Sequence, residues 1–314
     1  MSKDRVALVL GAGGVRGIAF TAGALAVLEH DHGWDARSAD VIVGTSAGAL
    51  VGALLRAGIS ALDVAAWVGG ATNAVDDPRA RAELTWPPLA PLGLRDLARV
   101  RFPPRGPIGS WCRRPWSVKP AAVLAGITGN GRHDLAGHLA PFDRLLPDWP
   151  SDPLWLCAVD QDSHARVVFG RDYHPRPSVA VSASCAVPGY FTPVAVDDRR
   201  YLDGGIHSTT NADVLTDTFV DHVIVIAPLA GRARRPIGIE PAVRTLARRA
   251  LARELTDLRS RGIPITVIEP IGDVTTHLGL DFVSQRGIRD VVRHAFLDTG
   301  DQLHQPGVAF LEAV

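Results

Sequence analysis

Two kinds of apolar pattern alternate along the chain. Val6–Leu10 is a continuous apolar run followed by Gly11-Ala12-Gly13-Gly14-Val15-Arg16-Gly17; behind these glycines Phe20, Ala24, Val27 and Leu28 recur at helical spacing within 18–30. The order reads strand, glycine-rich turn, helix. A second apolar run at 40–43, cut by Gly44, leads into an Ala/Leu-rich stretch over 46–57 that predicts another helix. Two βα units in succession predict an α/β fold with a mostly parallel central sheet and helices on both faces. Further strands are predicted at 154–159, 165–169, 201–202, 223–227 and 265–268. Residues 241–261 read as an amphipathic helix, with Val243, Leu246, Leu251, Leu255 and Leu258 on one side and arginines on the other. From 70 to 150 the pattern dissolves into proline, glycine and arginine. That stretch is expected to be an irregular insertion within a single domain spanning 1–314.

Composition narrows the class. The 314 residues carry 33 basic and 33 acidic side chains, so no global field draws the chain to nucleic acid, and no nucleic-acid partner is expected. With 46% hydrophobic and 21% charged residues the chain has the apolar surface to fold. Cys112, Cys157 and Cys185 are widely spaced with no CxxC pair, so neither a metal site nor a cofactor is expected, and the thiols read as buried ones in a reducing compartment. The N-terminal apolar run stops at Leu10, short of a signal peptide, which predicts a cytoplasmic protein. Of the long uncharged stretches, 41–55 is too short to span a bilayer, and 178–196 contains Pro188, Gly189 and Pro193.

Three motifs carry candidate chemistry. Gly44-Thr45-Ser46-Ala47-Gly48 fits G-x-S-x-G between a predicted strand and a predicted helix, the setting of a nucleophile elbow; the alternative is a small-residue turn with Ser46 as helix cap. The Gly11–Gly17 loop fails as a dinucleotide fingerprint, having Arg16 where glycine is needed, and fails as a P-loop for want of G-K-[ST]. Its remaining role is an oxyanion hole, with successive backbone N–H groups facing a tetrahedral intermediate. Turns after two parallel strands of a βαβ unit open at the same sheet edge, so this loop and Ser46 can meet. Asp203-Gly204-Gly205 places a carboxylate at a strand end, as a base or as an ordinary Asp-Gly turn. His207, His222, His277, His294 and His304 keep a Ser-Asp-His order open.

Together these blocks resemble the patatin-like phospholipase family. Gly11–Gly17 is similar to its G-G-G-x-[RK]-G loop, with Ala12 replacing a glycine, Gly44–Gly48 to its G-x-S-x-G and Asp203–Gly205 to its D-G-[GA]. Residues 183–193, Ala-Ser-Cys-Ala-Val-Pro-Gly-Tyr-Phe-Thr-Pro, resemble a fourth block, A-S-x-A-x-P-x-x-F-x-P; Asn211-Ala212 departs from an Asn-x-Pro common after the aspartate. The resemblance covers 5–227 apart from 70–150. It implies a three-layer sandwich and a serine lipid acyl hydrolase with a Ser-Asp dyad, Ser46 as nucleophile and Asp203 as base. It further implies an oxyanion hole at Gly13, Gly14 and Val15, supported by Gly11, Arg16, Gly17, Gly44, Gly48, Gly204 and Gly205. Arg16 would order the loop or neutralise an anionic head group. The substrate would be a lipid or other acyl ester. A Ser-His-Asp esterase or thioesterase, a nucleotide-binding regulator and a scaffold without turnover are the rival readings; a conventional Ser-His-Asp hydrolase would place several strands before its elbow, and Ser46 comes early for that.

The segment 95–119 sets seven basic residues (Arg95, Arg99, Arg101, Arg105, Arg113, Arg114 and Lys119) against the single acid Asp96, interleaved with Phe102, Trp111 and Trp116. Cations beside aromatic rings suit a lipid–water interface and predict peripheral membrane contact, with a packed insertion as the alternative.

Overall fold

A computed structural model describes residues 4–85, 131–232, 239–279 and 281–305. The basic-aromatic segment 95–119 and Cys112 lie outside the described residues. Eight strands form one sheet: β1 (Val6–Leu10), β2 (Val41–Thr45), β3 (Leu154–Asp160), β4 (Arg166–Phe169), β5 (Val194–Val196), β6 (Arg199–Asp203), β7 (His222–Ile226) and β8 (Ile265–Ile268). Strands β3, β2, β1, β7 and β8 run parallel in that order, while β4 and β6 pair antiparallel with β3, and β5 with β6.

The continuous apolar runs are central strands buried on both sides. Within β1, Leu8 and Leu10 join the core on one face and Ala7 and Val9 the core on the other, as a two-residue side-chain period requires. The first face is covered by α1 (Gly14–His30), α2 (Ala47–Arg56), α3 (Ala61–Val68), α6 (Pro177–Ser184) and α9 (Ile288–Leu303), the second by α7 (Ile239–Ser260). The result is the expected three-layer α/β sandwich. Helix α1 is apolar nearly all round, and it is buried nearly all round, packed against α2, α3 and α9.

Two expectations are corrected. Helix α1 begins inside the glycine motif at Gly14 rather than at residue 18, the Gly17 N–H closing the first turn onto the Gly13 carbonyl at 3.0 Å. On α7 the buried stripe contains Arg244, Ala247, Leu251, Leu255 and Leu258, while Leu246 is 48% exposed. Arg244 reaches inward to Pro228 and thereby rotates the apolar stripe away from Leu246. In the described parts of 70–150, α4 (Pro78–Glu83) and α5 (Leu135–Leu139) lie beside the 140–146 turn, whose Phe142, Leu145 and Leu146 join the main apolar cluster. The last helices among the described residues are α8 (Val274–Leu278) and α9, the latter lying along α1.

Candidate active site

Register on β3 brings the two halves of the site together. Leu156 and Cys157 pair with Gly44 and Thr45 of β2 on one edge and with Phe169 and Val168 of β4 on the other. The next residues, Ala158 and Val159, pair with Asp203 and Leu202 of β6, and again with β4. Because β4 occupies one edge throughout, β2 and β6 share the opposite edge and run head-on toward each other. Thr45 sits opposite Cys157 and Asp203 opposite Ala158, so the chain leaving β2 meets the chain leaving β6.

Ser46 is the residue at that meeting point. Its backbone has φ 54° and ψ −117°, a conformation costing about 1–3 kcal/mol for a residue with a side chain. Glycine is required on both sides of this turn. A Cβ on Gly48 would lie 2.0 Å from the Leu10 carbonyl oxygen, and one on Gly44 2.6 Å from the Ala49 Cα. The turn carries Ser46 to the N-terminus of α2, where its hydroxyl is near enough to the Asp203 carboxyl to favour the charged form. Ser46 and Asp203 are 4% and 5% exposed.

Burial lifts the Asp203 carboxyl from 3.8 to about 6, against the opposing effects of the Ser46 hydroxyl and of the Gly205 N–H, which donates to Oδ1 at 2.7 Å. No cation among the described residues acts on it. Gly204 packs where a Cβ would stand 2.1 Å from the Cys157 carbonyl oxygen. The histidines are placed elsewhere. His222 opens β7 opposite Val6, at the far end of the strands, and its Nε2 faces the Thr266 hydroxyl at 2.9 Å. His277 stacks on His294 with ring centroids 4.9 Å apart, and His304 Nδ1 lies 2.6 Å from the Gly300 carbonyl oxygen. His207 is half-buried just past Gly205 and neither lines the pocket beside Ser46 nor acts on the Asp203 carboxyl.

The glycine loop faces the same point. Gly11 continues the β1–β7 ladder through its N–H to the Ile226 carbonyl at 2.9 Å, and the Ala12 N–H donates to Thr209 at 2.7 Å. Ala12 keeps a negative φ, so its side chain is accommodated, and it lies against Gly205. Gly17 sets α1 close to Ala47 at the start of α2. Gly14 has φ +62°, and a Cβ there would meet the Phe282 carbonyl oxygen at 2.2 Å. That carbonyl accepts the Val15 N–H at 2.8 Å, which removes Val15 from the donors open to a substrate. The Gly13 and Gly14 N–H groups have no acceptor among the described residues and lie at the positive end of the α1 dipole. Arg16 donates to the carbonyls of Leu278 and Arg286 at 3.1 and 3.3 Å, tying the loop to the segment that bears Phe282.

A pocket opens from Ser46 between α1, α2, α3 and α5. Ile18, Leu50, Trp67, Leu145, Phe191 and Phe282 make it predominantly apolar, with Glu83, Thr85 and His138 as polar lining. A strained serine beside a buried carboxyl, two amides unengaged among the described residues and an apolar pocket can together perform acyl transfer on an ester with a hydrocarbon chain. The patatin-like phospholipase family model matches residues 8–216. The chain belongs to that family. Membership supports lipid acyl hydrolysis as the class of activity.

Among solved structures, the chain is similar to VipD from Legionella pneumophila at 14% identity and a TM-score of 0.41, covering 95% of this chain and 67% of that one. It is also similar to the type III effector protein ExoU at 18% identity and a TM-score of 0.36, covering 94% of this chain and 53% of that one. A complex of ExoU with SpcU from Pseudomonas aeruginosa matches at 18% identity and a TM-score of 0.34, covering 94% of this chain and 52% of that one. The chain thus spans about two thirds of VipD and about half of ExoU.

Several residues that shape the site escape a reading by motif. Asn211, buried with φ 54°, donates from Nδ2 to the Thr45 hydroxyl at 3.1 Å and to the carbonyls of Gly204 and Ser208 at 3.4 and 2.7 Å. It joins the residue before Ser46 to the residue after Asp203. The sequence offered two signals for it, the tolerance of asparagine for the left-handed region and the match of Asn211 itself to the asparagine of the family's Asn-x-Pro. Phe282 and Arg244 offered none, since their contacts are made only in the folded chain.

Proposed function

We propose that the protein hydrolyses fatty-acyl esters through a Ser46–Asp203 dyad and an acyl-enzyme, without a catalytic histidine. The placement of the Ser46 hydroxyl beside a buried carboxyl on which no cation among the described residues acts carries this reading. Asp203, ionised above about pH 6, takes the hydroxyl proton as Oγ attacks the acyl carbonyl. The negative oxygen of the tetrahedral intermediate faces the Gly13 and Gly14 amides. On collapse Asp203 returns the proton to the departing alcohol, and the acyl group stays on Ser46. Water, deprotonated by Asp203, then attacks the acyl-enzyme, and expulsion of Ser46 Oγ releases the fatty acid. The apolar pocket supports a hydrocarbon chain as the acyl part.

A fluorophosphonate carrying an alkyl chain tests this reading. It should add one adduct mass to the wild type, at the peptide containing Ser46, and none to Ser46→Ala. The same pair should differ in fatty-acid release from p-nitrophenyl esters and phospholipid vesicles. An adduct retained in Ser46→Ala would place the nucleophile elsewhere.

A further inference from the structure

The block Ala183-Ser184-Cys185-Ala186 contributes no group to the reaction just described, yet three of its residues touch both members of the dyad. The Ser46 N–H donates to Ser184 Oγ at 3.0 Å, and Cys185 Sγ–H donates to the Ser46 carbonyl oxygen at 3.1 Å. The Asp203 N–H donates to the Ala186 carbonyl at 3.0 Å. Ser184 Oγ in turn donates to the carbonyl of Cys157 at 2.7 Å, the residue paired with Thr45 and packed beneath Gly204. Ser184 is fully buried, and all these atoms belong to one turn at the end of α6.

We propose that residues 184–186 form a bracket that fixes the Ser46–Asp203 geometry, with Ser184 and Cys185 as positioning residues. The head-on approach of β2 and β6 leaves a gap at the point where both strands end. No ladder bond spans it, because each strand pairs with β3 and not with the other. Besides Asn211, which links Thr45 to Gly204, the bracket supplies a connection at the dyad residues themselves. Ser184 takes the Ser46 N–H, Cys185 joins the Ala49 and Leu50 amides on the Ser46 carbonyl, and Ala186 holds the aspartate backbone one step further on. Burial raises the Cys185 thiol well above its ordinary range, so it stays protonated and keeps its donor. A hydroxyl can replace that donor, whereas a methyl cannot.

This inference rests on the dyad reading, and the experiment separates the two. Ser184→Ala, Cys185→Ala and Cys185→Ser are compared with wild type for p-nitrophenyl ester turnover, rate of fluorophosphonate labelling and urea unfolding. Ser184→Ala and Cys185→Ala should each lower kcat and the labelling rate about tenfold with KM changed less than twofold, and Cys185→Ser should restore most of the loss. Their acid limb should also move to higher pH, because a misaimed Ser46 hydroxyl no longer lowers the Asp203 pKa. Wild-type rates in a folded Ser184→Ala protein overturn the bracket. So does an equal loss in Cys185→Ala and Cys185→Ser, which would mean that shape and not the donor matters. Should Ser184→Ala fail to fold, the two Cys185 variants decide the matter. A wild type that Ser46-directed reagents do not label overturns the dyad reading itself.

Discussion

Asp203 has been placed where its charge is unfavourable. A carboxyl whose pKa rises from 3.8 in the unfolded chain to about 6 in the folded one contributes its stability while neutral, fully so below pH 3.8. That contribution is lost as pH rises through about 6, and at pH 8 the ionised group costs about 3 kcal/mol relative to an unshifted one. Asp203→Asn should therefore be more stable than wild type at pH 8, by up to about 3 kcal/mol, with the gain fading toward pH 4. Urea unfolding at pH 4, 6 and 8 checks this, and a stability difference that does not vary with pH would contradict it. At this scale the two residues of the proposed dyad stood out in the sequence because each sits in a turn with its own local demand. Gly44 and Gly48 are dictated by close backbone approach around Ser46, and Gly204 by its approach to Cys157. The candidate oxyanion loop was legible only in part. Nothing in Gly13-Gly14-Val15 shows that Phe282, far along the chain, takes the third amide.

Among the elements, the strands were the more legible, since a five-residue apolar run between turns has few other uses in a chain of this kind. The helices α3, α6 and α9 were not read, because short or charge-rich segments carry a weak period and take their burial from neighbours. Helix α7 shows the same effect in a single stripe. Leu246 fits the heptad-like spacing and yet faces solvent, while Arg244, 1% exposed, bonds inward through Nε to Glu240 at 2.9 Å and through Nη1 to the Pro228 carbonyl at 3.2 Å. Pro228 packs against Gly11, Gly13 and Gly17, so Arg244 braces the wall behind the glycine loop. Leu246→Lys should change stability by less than about 0.5 kcal/mol, whereas Arg244→Ala should cost about 2–3 kcal/mol. Denaturant midpoints for the two variants check the contrast, and similar losses from both would show that the stripe faces the other way.

Over the whole molecule, one strand organises the chemistry. β3 accepts β2 and then β6 along a single edge, and that succession brings residue 46 to residue 203 across more than 150 residues of chain. The parallel sheet and its helical layers followed from the alternating pattern; the antiparallel β4, β5 and β6 did not, since a three- to five-residue strand carries no direction in its sequence. The segment between the two halves of the site, expected to be an insertion, carries Leu135, Phe142 and Leu145 of its described end into the pocket. The account turns on the serine and the aspartate acting without an imidazole. The most direct measurement is kcat/KM for a short-chain p-nitrophenyl ester in wild type, Asp203→Asn and His207→Ala, each shown folded by circular dichroism. Asp203→Asn should lose about 10³-fold or more, in the range seen when a catalytic base is removed, and His207→Ala should stay within a few-fold of wild type. Near-normal turnover in Asp203→Asn, or loss of turnover in a folded His207→Ala protein, would contradict the dyad.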